Sequence, residues 1–389
     1  MEFANRIKPL SNNVFALMDQ AKAEARASGK DIIDLSLGSS DLKTSTEVIE
    51  AIANSLQDTS THGYLLYHAT QDFRKSAANW YSRRFGIAVD PETEVLSLIG
   101  CQEGTAHLPL AILNPGDFAL LQDPGYPSHY GGIYLAGGQV YPMPLLAENN
   151  FLPIFEDIPP QVLAQTKMMV LNYPHNPTTA IAPLAFFEQA VSFCRSHDLV
   201  LVHDFPYLDI VFDEKITAPS VFQADTKKEL AIEFFTFSKS YNMGGFRIGY
   251  AIGNAQLIRA LRQIKAVIDF NQYRGILNGA IVALEGSQES VHQTVATFKQ
   301  RRDVFVKALH NIGWYVPNPP ATMYVWAQLP EKWRKDSIEF CRQLVKTTGV
   351  AASPGAGFGN AGEGYVRFAL VHQTPILETA VEKMAQFLS

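Results

Sequence analysis

The chain has 389 residues, 47% of them hydrophobic and 18% charged, which suits one or two packed domains and excludes a disordered or fibrous chain. Lys and Arg number 32 against 38 Asp and Glu, a formal net charge of -6, so no global basic field draws the chain to nucleic acid or anionic lipid. The three cysteines, Cys101, Cys194 and Cys341, are too few for a disulfide framework and too scattered for metal pairs, which points to a reducing compartment, the cytoplasm.

No apolar run reaches the roughly 18 residues of a membrane helix, and the polar N-terminus (Glu2, Asn5, Arg6, Lys8) does not read as a signal peptide. The first helical pattern covers residues 13–28 and closes at Gly29, the usual place for a left-handed residue. From residue 94, short β-rich apolar runs alternate with helical periodicity. That is the pattern of an α/β chain with a mainly parallel sheet covered by helices on both faces. Seven strands are expected, at 94–99, 117–121, 139–141, 167–171, 199–203, 232–237 and 248–252. Helices are expected at 103–113, 126–135, 184–196 and 255–269. Beyond Asn278 come one long helix to Asn311, a strand near 323–329, a helix near 336–346, a strand at 364–370 and a last helix after Thr374. The expected division is a large domain over 46–277 and a smaller α+β domain made of 1–45 and 278–389.

Open α/β sheets bind ligands at the carboxyl ends of their strands, so the residues just after each expected strand carry the most information. These exits read Gly100-Cys101-Gln102-Glu103-Gly104, Asp123-Pro124-Gly125-Tyr126, Asn172 to Pro177, Asp204-Phe205-Pro206-Tyr207 and Thr236-Phe237-Ser238-Lys239. The last continues to Tyr250 as FSKSYNMGGFRIGY. Lys239 offers an amine nucleophile, while Thr236, Ser238 and Arg247 offer hydroxyls and a guanidinium suited to a phosphate. Taken singly, a lysine is a solvated charge, an Asn-Pro a turn and a tyrosine a core ring. Their order along successive strand exits lifts them above those readings.

With these motifs the chain resembles the class I/II, fold type I aminotransferases that depend on pyridoxal 5'-phosphate, over nearly its full length. The resemblance implies that Lys239 joins the cofactor covalently and, once released by substrate, moves the α-proton. It implies that Asp204 keeps the ring nitrogen protonated, that Tyr207 and Asn176 bond the ring oxygen, and that Tyr126 stacks on the ring. Cys101, Gln102, Thr236, Ser238 and Arg247 would hold the phosphate, with the helix N-terminus after Gly100 supplying N–H groups. Arg367, in EGYVRFAL, would clamp the substrate α-carboxylate, and Gly38, in DLSLGSSDL, would let backbone approach it. Tyr64, in YLLYHATQDFR, would reach the phosphate of a neighbouring subunit, which implies a homodimer with shared sites; Tyr67 is the alternative. No metal is implied.

Three departures bear on loops and pocket: Ala69 and Thr179 stand where glycines are usual, and Gln102 where lysine is frequent. The chain looks closest to the branch of LL-diaminopimelate and aspartate or alanine aminotransferases. Asp269 falls at or near the position where classical aspartate aminotransferases use an arginine for the distal carboxylate. An aspartate there would repel a carboxylate and attract an ammonium, so a cationic-tailed donor such as LL-diaminopimelate is expected, with 2-oxoglutarate as acceptor. Arg274 could instead receive a dicarboxylate, and Asp269 could simply end a helix.

Competing classes fit less well. A hydrolase elbow would need a nucleophile at Gln102, and Gly355-Ala356-Gly357-Phe358-Gly359 lies too late and lacks the dinucleotide spacing. An aminotransferase-like regulatory effector domain would follow a DNA-binding module, for which the segment before the large domain is short. A lyase on the same fold shares every cofactor contact and stays open.

Overall fold

The computed structural model describes residues 3, 4 and 14–388. The expected helix start at Asn13, and Glu2, Asn5, Arg6 and Lys8 of the N-terminal stretch, lie outside the described residues.

In chain order the described part opens with α1 (Val14–Ala27), the short β1 (Ile33–Asp34), α2 (Thr46–Ser55) and α3 (Gln71–Phe85). The large sheet and its helices follow: β2 (Val95–Leu98), α4 (Cys101–Ile112), β3 (Phe118–Asp123), α5 (Pro127–Leu135), β4 (Gln139–Pro144), α6 (Pro160–Leu163), β5 (Thr166–Asn172), α7 (Leu184–Ser196), β6 (Val200–Asp204), β7 (Ala231–Thr236), β8 (Gly249–Gly253), α8 (Ala255–Ile268) and α9 (Arg274–Glu285). The chain closes with α10 (Glu289–Asn311), β9 (Tyr324–Gln328), α11 (Ser337–Thr348), β10 (Val350–Ala351), β11 (Ser353–Pro354), β12 (Tyr365–Ala369) and α12 (Thr374–Leu388).

The seven-stranded sheet has the order β2-β8-β7-β6-β5-β3-β4 and is parallel except for β8, which runs against both neighbours. Its central strands are buried on both faces, which is why they read as continuous apolar runs. Neighbouring residues of one strand enter different cores: Leu201 and Phe235 pack on one face, Val202 and Phe234 on the other. β4 carries Pro142 and Pro144, tolerable because it is an edge strand. A separate core gathers β9, β12, α10, α11 and α12 around the antiparallel sheet β11-β12-β9, and it also takes in Tyr207, Ile210 and Phe212 from the loop after β6.

All seven expected strands are present. The helix expected to run unbroken from 278 to 311 is two helices, α9 and α10, separated at Gly286, where an added Cβ would meet the Val282 carbonyl at 2.7 Å. Sequence periodicity did not announce α2 and α3. In α3 the buried stripe includes Arg74, Ser76, Ala77 and Ala78, so polar and small residues dilute the apolar repeat. No helix among the described residues is long and apolar enough to cross a membrane.

Candidate active site

The parallel strands β3, β5, β6 and β7 end on one rim of the sheet, and the expected residues follow from that edge. Because β8 is antiparallel, with Thr236 facing Gly249, the segment just before it returns Arg247 to the same rim. Arg247 has φ 53 and donates to the Gly244 carbonyl at 3.0 Å. Gly100 precedes α4 with φ +79, and an added Cβ would stand 2.6 Å from the Arg247 guanidinium. On Gly249 a Cβ would stand 2.8 Å from the Cys101 amide nitrogen. Gly100 thus lets an arginine lie against the first turn of α4, and Gly249 lets β8 approach that turn, where free N–H groups and the helix dipole favour an anion. Thr236 Oγ1 donates to Ser238 Oγ at 2.9 Å and accepts from the Ser238 amide, placing both hydroxyls beside that turn. Burial first, then the Asp204 charge, pushes the Cys101 thiol up, so it stays neutral. Gln102 is exposed and accepts from Tyr126 Oη at 3.4 Å.

Lys239 Nζ donates to the Gly38 carbonyl at 2.6 Å and lies 5.6 Å from the centre of the Tyr207 ring. Asp204, at the end of β6, is buried, and its Oδ2 meets His129 Nε2 at 2.9 Å. Its Oδ1 is buried with no hydrogen-bond partner among the described residues. A lone carboxylate oxygen in that state suits a cationic N–H. Asn172 Nδ2 donates to the Asp204 carbonyl at 2.8 Å, and Asn172 Oδ1 accepts from the Asn176 amide at 2.9 Å, so strand end and Asn-Pro loop are pinned together.

Arg367 lies on β12 and is buried. It donates to Asn176 Oδ1 and to the Ser36 carbonyl, each at 2.8 Å, and to Ser353 Oγ at 3.3 Å. Its Nε is buried without a partner among the described residues, a donor left over for an incoming carboxylate. The guanidinium is sandwiched by Tyr324 at 4.3 Å and Phe358 at 4.7 Å.

Known proteins share both this fold and its motifs. A sequence model of the family described as aminotransferase class I and II matches residues 30–384. The chain belongs to that family. An LL-diaminopimelate aminotransferase from Dehalococcoides mccartyi is 42% identical over 389 residues, all of both chains. Among solved structures, a probable N-succinyldiaminopimelate aminotransferase from Thermus thermophilus superposes with a TM-score of 0.90 at 40% identity, over 96% of this chain and 99% of the other. Apo BacF from Bacillus subtilis gives 0.94 at 33% identity, over 100% and 98%. The aminotransferase is therefore an enzyme of fold type I that uses pyridoxal 5'-phosphate to move amino groups between amino and 2-oxo acids.

Most residues expected from the sequence of this aminotransferase converge: Lys239, Gly38, Asn176 and Arg367 are linked by hydrogen bonds or through Ser36, and Cys101, Thr236 and Arg247 line the α4 turn. Tyr207 Oη meets Tyr324 Oη at 2.8 Å. Three residues stand elsewhere. Tyr64 is 93% exposed, with an edge contact to Phe270 at 6.2 Å, whereas the alternative, Tyr67, lies between Arg74 and Arg262 and donates to the Glu92 carbonyl. Asp269 caps α8 and pairs with Lys265 at 2.9 Å; Lys265 also pairs with Glu103 at 3.0 Å, and His107 stands 3.9 Å from Asp269. The Lys265 ammonium fills the centre of that acidic cluster. Arg274 lines a cavity of about 170 Å³ with Asp58, Ser60, Thr61 and Asp72.

Sequence reasoning assigned no role to His129, Asn172, Ser36, Ser353, Phe358 or Tyr324. The signal for His129 lay in DPGYPSHY, where it stands three residues beyond Tyr126 and so on the same side of α5's first turn. Tyr324 had no local signal beyond its strand.

Proposed function

We propose that this aminotransferase takes its amino group from a donor with a distal ammonium, LL-diaminopimelate, and passes it to 2-oxoglutarate by a ping-pong sequence. The observation that carries this is the full-length 42% identity to a protein named for that donor. Bound pyridoxal phosphate supplies the electron sink that makes the donor's α-proton acidic. Asp204 Oδ1 holds the proton on the ring nitrogen, supported by its unpartnered, buried state among the described residues. Because Asn176 Oδ1 is taken by Arg367, its amide N–H groups are the ones left to face the ring oxygen with Tyr207. Tyr126 covers the ring, and the α4 turn with Cys101, Gln102, Thr236, Ser238 and Arg247 holds the phosphate. Arg367 binds the α-carboxylate against Gly38, and Lys239 Nζ, on leaving the Gly38 carbonyl, carries the α-proton.

The exposed Tyr64, Leu66, Val267, Ile268 and Phe270 form an apolar face fit for a second copy. We assign it to a homodimer in which Tyr64 of one subunit reaches its partner's phosphate. Asp269 would then read the donor's tail. Support comes from charge: Glu103 and Asp269 oppose one ammonium, Lys265, leaving a net negative cluster. Three unpaired thiols suit the cytoplasm, and two separate cores support a two-part chain, although α9 through Leu284 packs with the large core rather than with the part beginning at 278.

The visible absorption spectrum during titration with LL-diaminopimelate tests the reading. A cofactor band that bleaches supports it; a band unmoved by this donor removes the substrate. In Asp269→Ala, the rate with LL-diaminopimelate should fall relative to aspartate, and an unchanged ratio removes Asp269 from recognition.

A further inference from the structure

Tyr324 is buried at the start of β9, opposite Ala369 and near Arg367 on the neighbouring strand. The Thr322 amide donates to the Ile210 carbonyl at 2.8 Å, and Thr322 Oγ1 accepts from the Tyr324 amide, so the tyrosine is fixed to the loop that follows Tyr207. Its hydroxyl meets Tyr207 Oη at 2.8 Å, with the rings edge to face at 5.7 Å. Its ring face carries Arg367 at 4.3 Å. A Cβ on Gly38 would stand 2.0 Å from the Tyr324 hydroxyl, so residue 38 can only be glycine while that hydroxyl holds its place. The Gly38 carbonyl is in turn the acceptor for Lys239. One phenol therefore touches Tyr207, Arg367 and the glycine that holds the reactive amine.

We propose that Tyr324 is a positioning residue for transamination: its hydroxyl donates to Tyr207, which leaves the Tyr207 proton free to point at the cofactor's ring oxygen, and its ring sets the plane of Arg367. This rests on the roles given above to Tyr207 and Arg367. A hydroxyl carries one proton, so in a pair of phenols one must donate and the other can then donate elsewhere.

The charges around the pair favour this direction. The groups facing Tyr324 are Tyr207 after β6, Lys239 after β7, Arg367 on β12 and Tyr126 ahead of α5. Burial pushes both phenols up, but Lys239 and Arg367 bring Tyr324 below its ordinary value, whereas Tyr207 stays well above. Arg367 lies 4.3 Å over the Tyr324 ring, and a cation against a phenol favours that phenol as the donor.

The test uses the loaded enzyme and the pH midpoint of its visible cofactor band. A hydrogen bond to the ring oxygen stabilises negative charge there and loosens the neighbouring N–H, so losing it raises the midpoint. Tyr324→Phe should raise the midpoint by about half a pH unit or more. It should also lower kcat about tenfold while KM for the amino donor stays within about twofold, because the ring under Arg367 remains. Tyr324→Leu should add a rise in KM. Tyr207→Phe with Tyr324→Phe should shift the midpoint no further than Tyr207→Phe alone, since Tyr324 acts through Tyr207. An unmoved midpoint in Tyr324→Phe, or shifts that add in full, overturns the proposal. Absence of any band in the unmutated enzyme with pyridoxal phosphate overturns the underlying assignment instead.

Discussion

The two sides of the site are built differently. The rim of the large sheet places Asp204, Lys239, Arg247 and the α4 turn through short connections from strands that pair with one another. The opposite wall joins three segments far apart in the chain: Ser36 and Gly38, Tyr324, and Arg367 with Ser353. The rim belongs to one sheet, whereas the wall exists only when the second core is docked against the loop from Tyr207 to Phe212. Rim residues should accordingly govern cofactor and chemistry, and wall residues how substrate is held, save for the Tyr324 hydroxyl, which reaches across to Tyr207.

Replacing the rim's amine should have the largest effect. Lys239→Ala removes nucleophile and proton carrier together, so turnover should fall by about 10⁴ or more, with the visible band lost while the phosphate cup still retains cofactor. Near-normal turnover would break the rim side of the comparison.

A smaller effect is expected on the wall. In Gly38→Ala the new Cβ would overlap the Tyr324 hydroxyl at 2.0 Å. The expected cost is about 1–3 kcal/mol in denaturant unfolding, with KM for the amino donor raised and cofactor affinity kept. Loss of cofactor instead would mean that the two sides are not separable.

A third effect, confined to acid pH, concerns the loop between them. His175 is fully buried in the Asn-Pro loop, its Nδ1 2.7 Å from Thr178 Oγ1 and its Nε2 without a partner among the described residues. Burial first, and then neighbouring His129, lowers its pKa from 6.5 to about 3. Between those values the unfolded chain binds a proton that the folded chain refuses. Stability is therefore full above pH 6.5 and declines as pH falls toward 3, by at most about 1.4 kcal/mol per pH unit. His175→Gln should flatten the decline in unfolding midpoints measured between pH 7 and pH 5. An equal slope in both proteins would assign the acid sensitivity to other groups.

Legibility in the sequence followed the same division. Strands buried on both faces announce themselves as apolar runs, and the polar residue at each exit marks the rim, so Asp204 and Lys239 were readable from the sequence alone. The glycines at 100 and 249 were visible too, but not their purpose. Only their approach distances show that Gly100 makes room for Arg247 and that Gly249 lets β8 lie against the Cys101 amide. Asp269 shows the opposite case: its position suggested a substrate contact, but only the fold shows that Lys265 and His107 stand beside it.

By itself the sequence determined the α/β class and the seven strands, because periodicity is local, and its strand-exit motifs carried the resemblance that implied the cofactor and a role for Lys239. Tertiary structure alone decided that His129 partners Asp204, that Asn176 and Ser36 hold Arg367, and that Tyr324 bridges Tyr207 and Gly38. Those contacts join residues up to 331 positions apart. Hydrogen bonds and ring contacts act over a few ångströms of space, and sequence distance carries no trace of which remote segments packing will bring within that reach.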